Sequence, residues 1–505
     1  MGFPILGTTT SFISAPIFAF CGLFIYLENE DKLLGSLFYC LLFSFGFYLL
    51  GFYWIPHTLT EFGQIGFPIN HIIGVNALFI ISPHLFIYTI SHHFLSKKVP
   101  LNQFGIVIRT ILFISIQYLT PQLFSAYPGH SWIKLAPNLG LASIFGEYLF
   151  SLISILISFE LCFIYKKKSL NKFNWILFII FIISNFMIKT PLKTNLIDNL
   201  SLRIAQANIG NNAKLSAERG LPNSVERVLA TYKKLSTAPS EHPLDLIIWP
   251  ETAYPFSLPE NIFEHGHQKM PTVFKKIINK KNASIFTGGY IQKVDHSYAN
   301  IYNSALLISP SKKTQGYNKN RLLPFGESLP FSEGINQAIH QLVPSISFFA
   351  KSSTSTLFNA TTAEGINYNF LSFICYEALS PELLRNHINS VNGIPSFLIN
   401  LTNDSWYGDT SEPEQHLFLS RWRTVEFSLP MVRSANTGIS TIINRYGVEE
   451  KRTSLDNIEK LDYILGIERK PEKTIFLKWG GLPTVFLSLI LILVSILTSR
   501  KSLFK

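Results

Sequence analysis

Charge is scarce in this sequence. Only 15% of its 505 residues are Asp, Glu, Lys or Arg, against about 25% in ordinary soluble proteins. A disordered chain or a coiled coil would need far more, and 29 Gly with 27 Pro exclude a collagen-like repeat. Cysteine is rarer still. Cys21, Cys40 and Cys162 lie in apolar segments and only Cys375 in a polar one, so no disulfide framework is indicated. No His/Cys cluster has zinc-ligand spacing, so neither a metal nor a cofactor is expected. Acidic residues are outnumbered 32 to 43, giving a net charge of +11. The surplus cations sit beside apolar runs, which is the pattern of a membrane protein's inner face and not of a nucleic-acid surface.

Apolar residues are abundant, at 47% with 43 Phe. They divide the chain into three parts. Residues 1–196 are almost wholly apolar, 197–475 have the composition of a soluble α/β domain, and 476–505 hold one more apolar run and a basic tail. A membrane helix needs about 20 apolar residues. The expected spans are 11–27, 33–55, 69–95, 104–123, 138–165, 173–190 and 479–498.

With the N-terminus outside, the inner connectors hold Lys32, Lys97, Lys98, Lys166, Lys167, Lys168, Lys172, Arg500, Lys501 and Lys505. The outer ones hold only Lys134, Lys189 and Lys193. Lysine and arginine stay inside, so the soluble domain is expected outside the cytoplasm, in the periplasm of a double-membraned bacterium. Glu147 falls within a span, where a carboxylate is costly and marks either a functional group or a hydrogen bond to a neighbouring helix. Arg109 is expected to snorkel from the inner end of its span. The His92–His93 pair is expected at the interface, without a metal.

In the soluble part, apolar runs alternate with helical segments. The runs are 202–209, 244–249, 283–290, 303–308, 368–375, 396–401 and 438–444. The helices fall at about 215–235, 260–280, 380–391 and 415–428. Strands that are apolar throughout belong to sheets covered on both faces, which predicts a layered α/β domain.

Three polar residues stand at the ends of such runs or in the loops beside them: Glu251 after Trp249-Pro250, Lys319 in a Gly/Pro-bearing loop, and Cys375 after Phe370–Ile374. Singly, each has an ordinary structural role, as loop carboxylate, solvated lysine or small buried hydrophobe. Together they suit acyl transfer. A thiol attacks a carbonyl, a carboxylate takes its proton, and a cation with backbone N–H groups holds the oxyanion.

Glu, Lys and Cys in these surroundings resemble the nitrilase superfamily of carbon–nitrogen hydrolases. Six words narrow the resemblance to bacterial apolipoprotein N-acyltransferases: Trp249-Pro-Glu-Thr-Ala253, Leu323-Pro-Phe-Gly-Glu327, Ile374-Cys-Tyr-Glu377, Asn403-Asp-Ser-Trp-Tyr-Gly408, Gln415-His416 and Arg433-Ser-Ala-Asn-Thr-Gly438. The resemblance implies a multi-span α-helical bundle carrying an extracytoplasmic αββα nitrilase-like sandwich.

It also implies transfer of an acyl chain from the sn-1 position of a phospholipid, typically phosphatidylethanolamine. The acceptor is the N-terminal amine of an S-diacylglyceryl-cysteine lipoprotein, and the acyl chain passes through a Cys thioester. By the same resemblance Glu251 is the base, Cys375 the nucleophile and Lys319 the oxyanion cation. Glu327, Tyr376 and Glu377 support them. Asn303, Asn403 and Trp406 contact substrate, with Glu147 a further candidate. A monomer is expected. Gly210 and Lys214-Leu215 depart from the family's usual Pro and Lys-Trp pair. The alternatives are a membrane-tethered amidase and a catalytically dead lipid-binding paralogue.

Overall fold

The computed structural model describes residues 12–61, 63–188, 197–293, 301–324, 326–328 and 349–503. Lys189, Lys193, Phe325 and Lys505, and the side chains of Arg500 and Lys501, lie outside the described residues.

The first part is helical: α1 (Ser14–Leu27), α2 (Leu33–Gly51), α3 (Ile55–Glu61), α4 (Ile69–Asn76), α5 (Leu78–Ile81), α6 (Pro83–Ser96), α7 (Gln103–Leu119), α8 (Ala142–Phe145), α9 (Glu147–Lys167) and α10 (Lys172–Met187). A last helix, Leu482–Leu503, packs on α7. Residues such as Phe18, Phe38, Ile176, Ile180, Ile183, Phe486, Ile490 and Leu493 are more than half exposed. An apolar surface of this extent belongs in lipid.

Among the described residues, two helices are long and apolar enough to cross a membrane, α2 and α9. The expected 69–95 span is broken, with a 51° bend before Pro83. A proline ring cannot continue the preceding hydrogen-bond ladder. The expected 138–165 span is also cut, at Gly146 with φ +65°, where a Cβ would come within 2.2 Å of the Phe476 ring. Glu147 is therefore the first residue of α9.

Two further expectations are corrected. Arg109 does not snorkel. It is fully buried, donating to Glu28 at 2.6 Å and to the Val99 and Gly105 carbonyls. His92 is buried too, 2.9 Å from the same carboxylate. Burial of Glu28 demands such partners, so the three groups pin α1, α6 and α7 together.

The second part holds two sheets. One has the order β13-β1-β2-β4-β5-β6, with β3 (Ser257–Pro259) beside β4; the other runs β12-β11-β10-β9-β8-β7. The first comprises β1 (Ile197–Gln206), β2 (Leu246–Ile248), β4 (Ser284–Gln292), β5 (Ile301–Ile308), β6 (Gln315–Asn318) and β13 (Glu459–Glu468). The second comprises β7 (Leu357–Thr361), β8 (Asn367–Ile374), β9 (Phe397–Thr402), β10 (Met431–Ala435), β11 (Thr441–Ile443) and β12 (Glu449–Arg452).

Side chains alternate along each strand. On β9, Phe397, Ile399 and Leu401 enter the core between the sheets, while Leu398 faces the outer helices. On β4, Phe286 faces inward and Ile285 packs under the helices Pro222–Thr237 and Thr272–Lys281. Helices thus cover both outer faces and the order of layers is αββα.

The expected helix 215–235 is two helices, Asn211–Glu218 and Pro222–Thr237, parted at Gly220 (φ +78°) and Pro222. In the expected 260–280 stretch only Thr272–Lys281 is α-helical, and the expected 415–428 helix divides at Arg421 into Glu412–Ser420 and Trp422–Phe427.

Candidate active site

Glu251 follows directly from β2. The strand ends at Ile248; beyond it Trp249 Nε1 anchors on Ser236 Oγ at 2.8 Å, and the Pro250 carbonyl accepts from Gly288 N at 3.1 Å. The chain then turns through Thr252 at φ +49°. Gly288 makes this possible, since a Cβ there would sit 2.4 Å from Thr252 N and 2.6 Å from Glu251 Cα. Lys319 follows β6, and its N–H donates to the Asn303 carbonyl of β5 at 2.9 Å. Cys375 ends β8 in the left-handed region, φ +53°, a costly conformation for a non-glycine residue and one that clusters at functional sites.

The carboxylates converge on Lys319. Its Nζ lies 2.8 Å from Glu327 Oε1 and 3.3 Å from Glu251 Oε1. Asn303 Nδ2 donates to Glu251 Oε1 at 2.7 Å and to Glu327 Oε1 at 3.0 Å, and Glu251 Oε2 accepts from Asn403 N at 3.0 Å. Burial disfavours the ammonium, but Glu327 and Glu251 outweigh it, so Lys319 is held well above its ordinary pKa and stays charged. Burial, then the Glu251 charge, push the Cys375 thiol well up, and Lys319 only partly offsets them. The resting thiol is therefore neutral and needs a base at the moment of attack.

Glu377 lies under the site and is fully buried. It accepts from Ile374 N at 2.8 Å, Asn320 N at 2.7 Å, Arg321 N at 2.9 Å and Tyr317 Oη at 2.9 Å. One carboxylate thus straps the lysine loop to the cysteine elbow. Tyr376 points away, its hydroxyl on Glu412 and its ring stacked on His416 at 4.4 Å. Trp406 is half-buried, with Lys214 Nζ 5.9 Å from its ring centroid.

Glu147 does not join this cluster. Tyr118 Oη and Ser151 Oγ donate to its carboxylate, and its N–H donates to Glu426 at 3.2 Å. Tyr118 belongs to α7, so the carboxylate at the start of α9 accepts a hydrogen bond from a neighbouring helix.

Sequence reasoning assigned no role to several residues that build the site. Asn400, Arg433, Asp404 and Asn436 lie behind it, and the last three fall inside motif words whose other members carried the assignment. Connectors between the apolar helices add an aromatic wall: Phe124, in the segment after α7, packs on Tyr376 at 5.3 Å, and Trp54, between α2 and α3, packs on Phe124 and Tyr407. Asp404, Glu412 and His416 place ligand-type atoms within 4.8 Å of one another. Within this group Arg433 pairs with Asp404 at 3.0 Å and the Tyr376 hydroxyl donates to Glu412.

A strand-end cysteine on an αββα sandwich, flanked by a lysine between two carboxylates, defines the class. Residues 202–457 match the carbon–nitrogen hydrolase family, and the chain belongs to it. Residues 7–159 match the apolipoprotein N-acyltransferase N-terminal domain. The chain is 28% identical over 506 residues to the apolipoprotein N-acyltransferase of Bdellovibrio bacteriovorus, covering 95% of this chain and 90% of that one. To that of Rickettsia typhi it is 26% identical, with 98% of each covered. Among solved structures, Saccharomyces cerevisiae Nit3, of the nitrilase superfamily, aligns at 15% identity with TM-score 0.35, covering 54% of this chain and 92% of its own. The chain is an acyltransferase of the apolipoprotein N-acyltransferase kind, with its sandwich joined to a bundle of apolar helices.

Proposed function

We propose that this enzyme moves an acyl chain from the sn-1 ester of a phospholipid, typically phosphatidylethanolamine, to the α-amine of an S-diacylglyceryl-cysteine lipoprotein. The observation that carries the reading is that Tyr376, next to the nucleophile, packs on Phe124 and with it joins the apolar core of the helical part. The reaction centre adjoins the surface where acyl chains dissolve. Residues 1–196 and 476–505 form the membrane part and 197–475 the catalytic domain. The lysine and arginine asymmetry supports a site on the periplasmic side of the inner membrane. The enzyme acts as a monomer.

The reaction is ping-pong. Glu251 takes the Cys375 thiol proton and sulfur attacks the ester carbonyl. Lys319 and the Tyr376 backbone N–H stabilise the oxyanion. Collapse breaks the ester C–O bond, and the lysophospholipid alkoxide leaves with the proton from Glu251. The neutral lipoprotein amine then attacks the thioester and passes a proton to Glu251. Expulsion of the thiolate gives the amide, and the proton returns to sulfur. Glu327 holds Lys319, Glu377 holds the two loops together, and Trp406 borders the entrance.

Intact-protein mass spectrometry after incubation with phosphatidylethanolamine tests this reading. Wild type gains one acyl mass and transfers it to a diacylglyceryl peptide, whereas Cys375→Ser gains none. Release of free fatty acid alone would sink the transfer reading.

A further inference from the structure

Asn403 and Asn303 flank the two oxygens of Glu251, and each keeps half of its side-chain amide without a hydrogen-bond partner among the described residues. Which half is decided by the neighbours. Ile209 N donates to Asn436 Oδ1 at 3.0 Å, and a backbone N–H can only donate. Asn436 Nδ2 is thereby turned toward the Ile209 carbonyl at 2.7 Å and Asn403 Oδ1 at 3.0 Å. Asn403 must present oxygen to Asn436, which leaves its Nδ2 as a free donor in a residue 3% exposed.

Asn303 is fixed in the opposite sense. Its Nδ2 faces two carboxylate oxygens, which can only accept from it, so its Oδ1 is a free acceptor in a residue 2% exposed. A buried amide atom without a partner is costly, and native proteins keep few of them. Here one donor and one acceptor stand on either side of the general base.

We propose that these two atoms form the subsite for the amine acceptor, Asn303 Oδ1 receiving an amine N–H and Asn403 Nδ2 donating to the carbonyl of the same residue, with Asn436 as the positioning residue. This rests on the acyl-transfer reading above. An N-terminal cysteine offers the matching pair, an amine and a carbonyl on one α-carbon. A lipid headgroup amine such as ethanolamine has no such carbonyl. The subsite thus selects a peptide N-terminus over the amine of the phospholipid donor, and it does so by a hydrogen bond that the wrong amine leaves unmade.

The test compares two acceptors with the full-length enzyme in detergent: an S-diacylglyceryl-cysteinyl peptide and S-diacylglyceryl-cysteamine, which lacks the cysteine carbonyl and the remainder of the peptide. Wild type is expected to acylate the peptide at least about ten-fold faster. Asn403→Ala keeps the backbone N–H on Glu251, and its preference for peptide should be reduced to near unity. Asn436→Ala, which leaves Asn403 in place but free to flip, should reduce the preference in part. A thermal unfolding midpoint like that of wild type in each variant reports an intact fold.

Retention of the full preference in both variants would overturn the subsite. So would a wild type that does not discriminate, or an Asn403→Ala whose acyl-enzyme formation falls as far as its transfer, which would make Asn403 an oxyanion donor in both half-reactions. If wild type loads Cys375 but acylates neither amine, the transfer reading itself fails and the subsite with it.

Discussion

Asn400 Nδ2 donates to the carbonyl of Cys375 at 3.3 Å, and Arg433 holds Asn400 Oδ1 at 2.6 Å. The left-handed turn of the nucleophile is thus braced from the strand behind it. Arg433 also pairs with Asp404 at 3.0 Å, and all three groups are buried.

Arg433→Met would leave Asp404 charged without its arginine partner, held among the described residues only by Thr402 and His416. Removing one partner of a buried pair costs about 3–5 kcal/mol. Thermal unfolding in detergent should register a loss of that order, and acyl-enzyme formation should fall as the elbow relaxes. An unchanged midpoint would show that Arg433 braces nothing.

Gly288→Ala tests the placement of the base. The new methyl would meet Thr252 N at 2.4 Å and Glu251 Cα at 2.6 Å, and neither backbone atom can swing aside. A misplaced catalytic group costs about 100-fold per ångström. Rates of acyl-enzyme formation should drop by roughly that factor; a variant within two-fold of wild type would contradict the close approach.

Glu377→Gln tests the strap. All four groups facing this carboxylate are donors. An amide turns one acceptor into a donor that opposes them, at a cost of about 1–3 kcal/mol for each bond left unmade. Both stability and turnover should fall, whereas Glu377→Asp should recover part of the stability.

Acid sensitivity arises at His416. Burial, then the Arg433 charge, lower its pKa to about 4, against the partial opposition of Asp404. Burial would raise Asp404, but Arg433 and His416 overcome it and hold that group at about 2, so it stays ionised across the same range. Glu412 and Tyr376 complete the surroundings, and burial, then Asp404, hold Glu412 well above the usual carboxylate range. The unfolded chain protonates His416 at about 6.5, before the folded one does. This contribution to stability is therefore complete above pH 6.5 and is lost as pH falls toward about 4. Unfolding midpoints at pH 7 and pH 5 should differ less in His416→Gln than in wild type.

Much of the sandwich and its reactive residues was legible in the sequence for physical reasons. Phe370–Ile374 and Leu246–Trp249 are apolar throughout because helices and a second sheet cover both faces, and each run delivers one reactive side chain at its end. β13 escaped because Glu459–Glu468 pairs β1 with alternating polar residues, and β10 because it carries Arg433 through the core. The Arg109–Glu28 pair escaped because its members are 81 residues apart, and only packing reveals that burial is shared. Asn436 stands inside a recognisable motif word, yet nothing in that word states its task. Its role depends on which way an amide faces, and only the hydrogen-bond network decides that.

β1 and β13 pair antiparallel over their full lengths, from Ile197 opposite Glu468 to Gln206 opposite Glu459. The sandwich therefore begins and ends at one edge, where its two chain ends lie side by side. A catalytic module with that geometry can be spliced between two consecutive membrane helices without unthreading either, in a single genetic insertion.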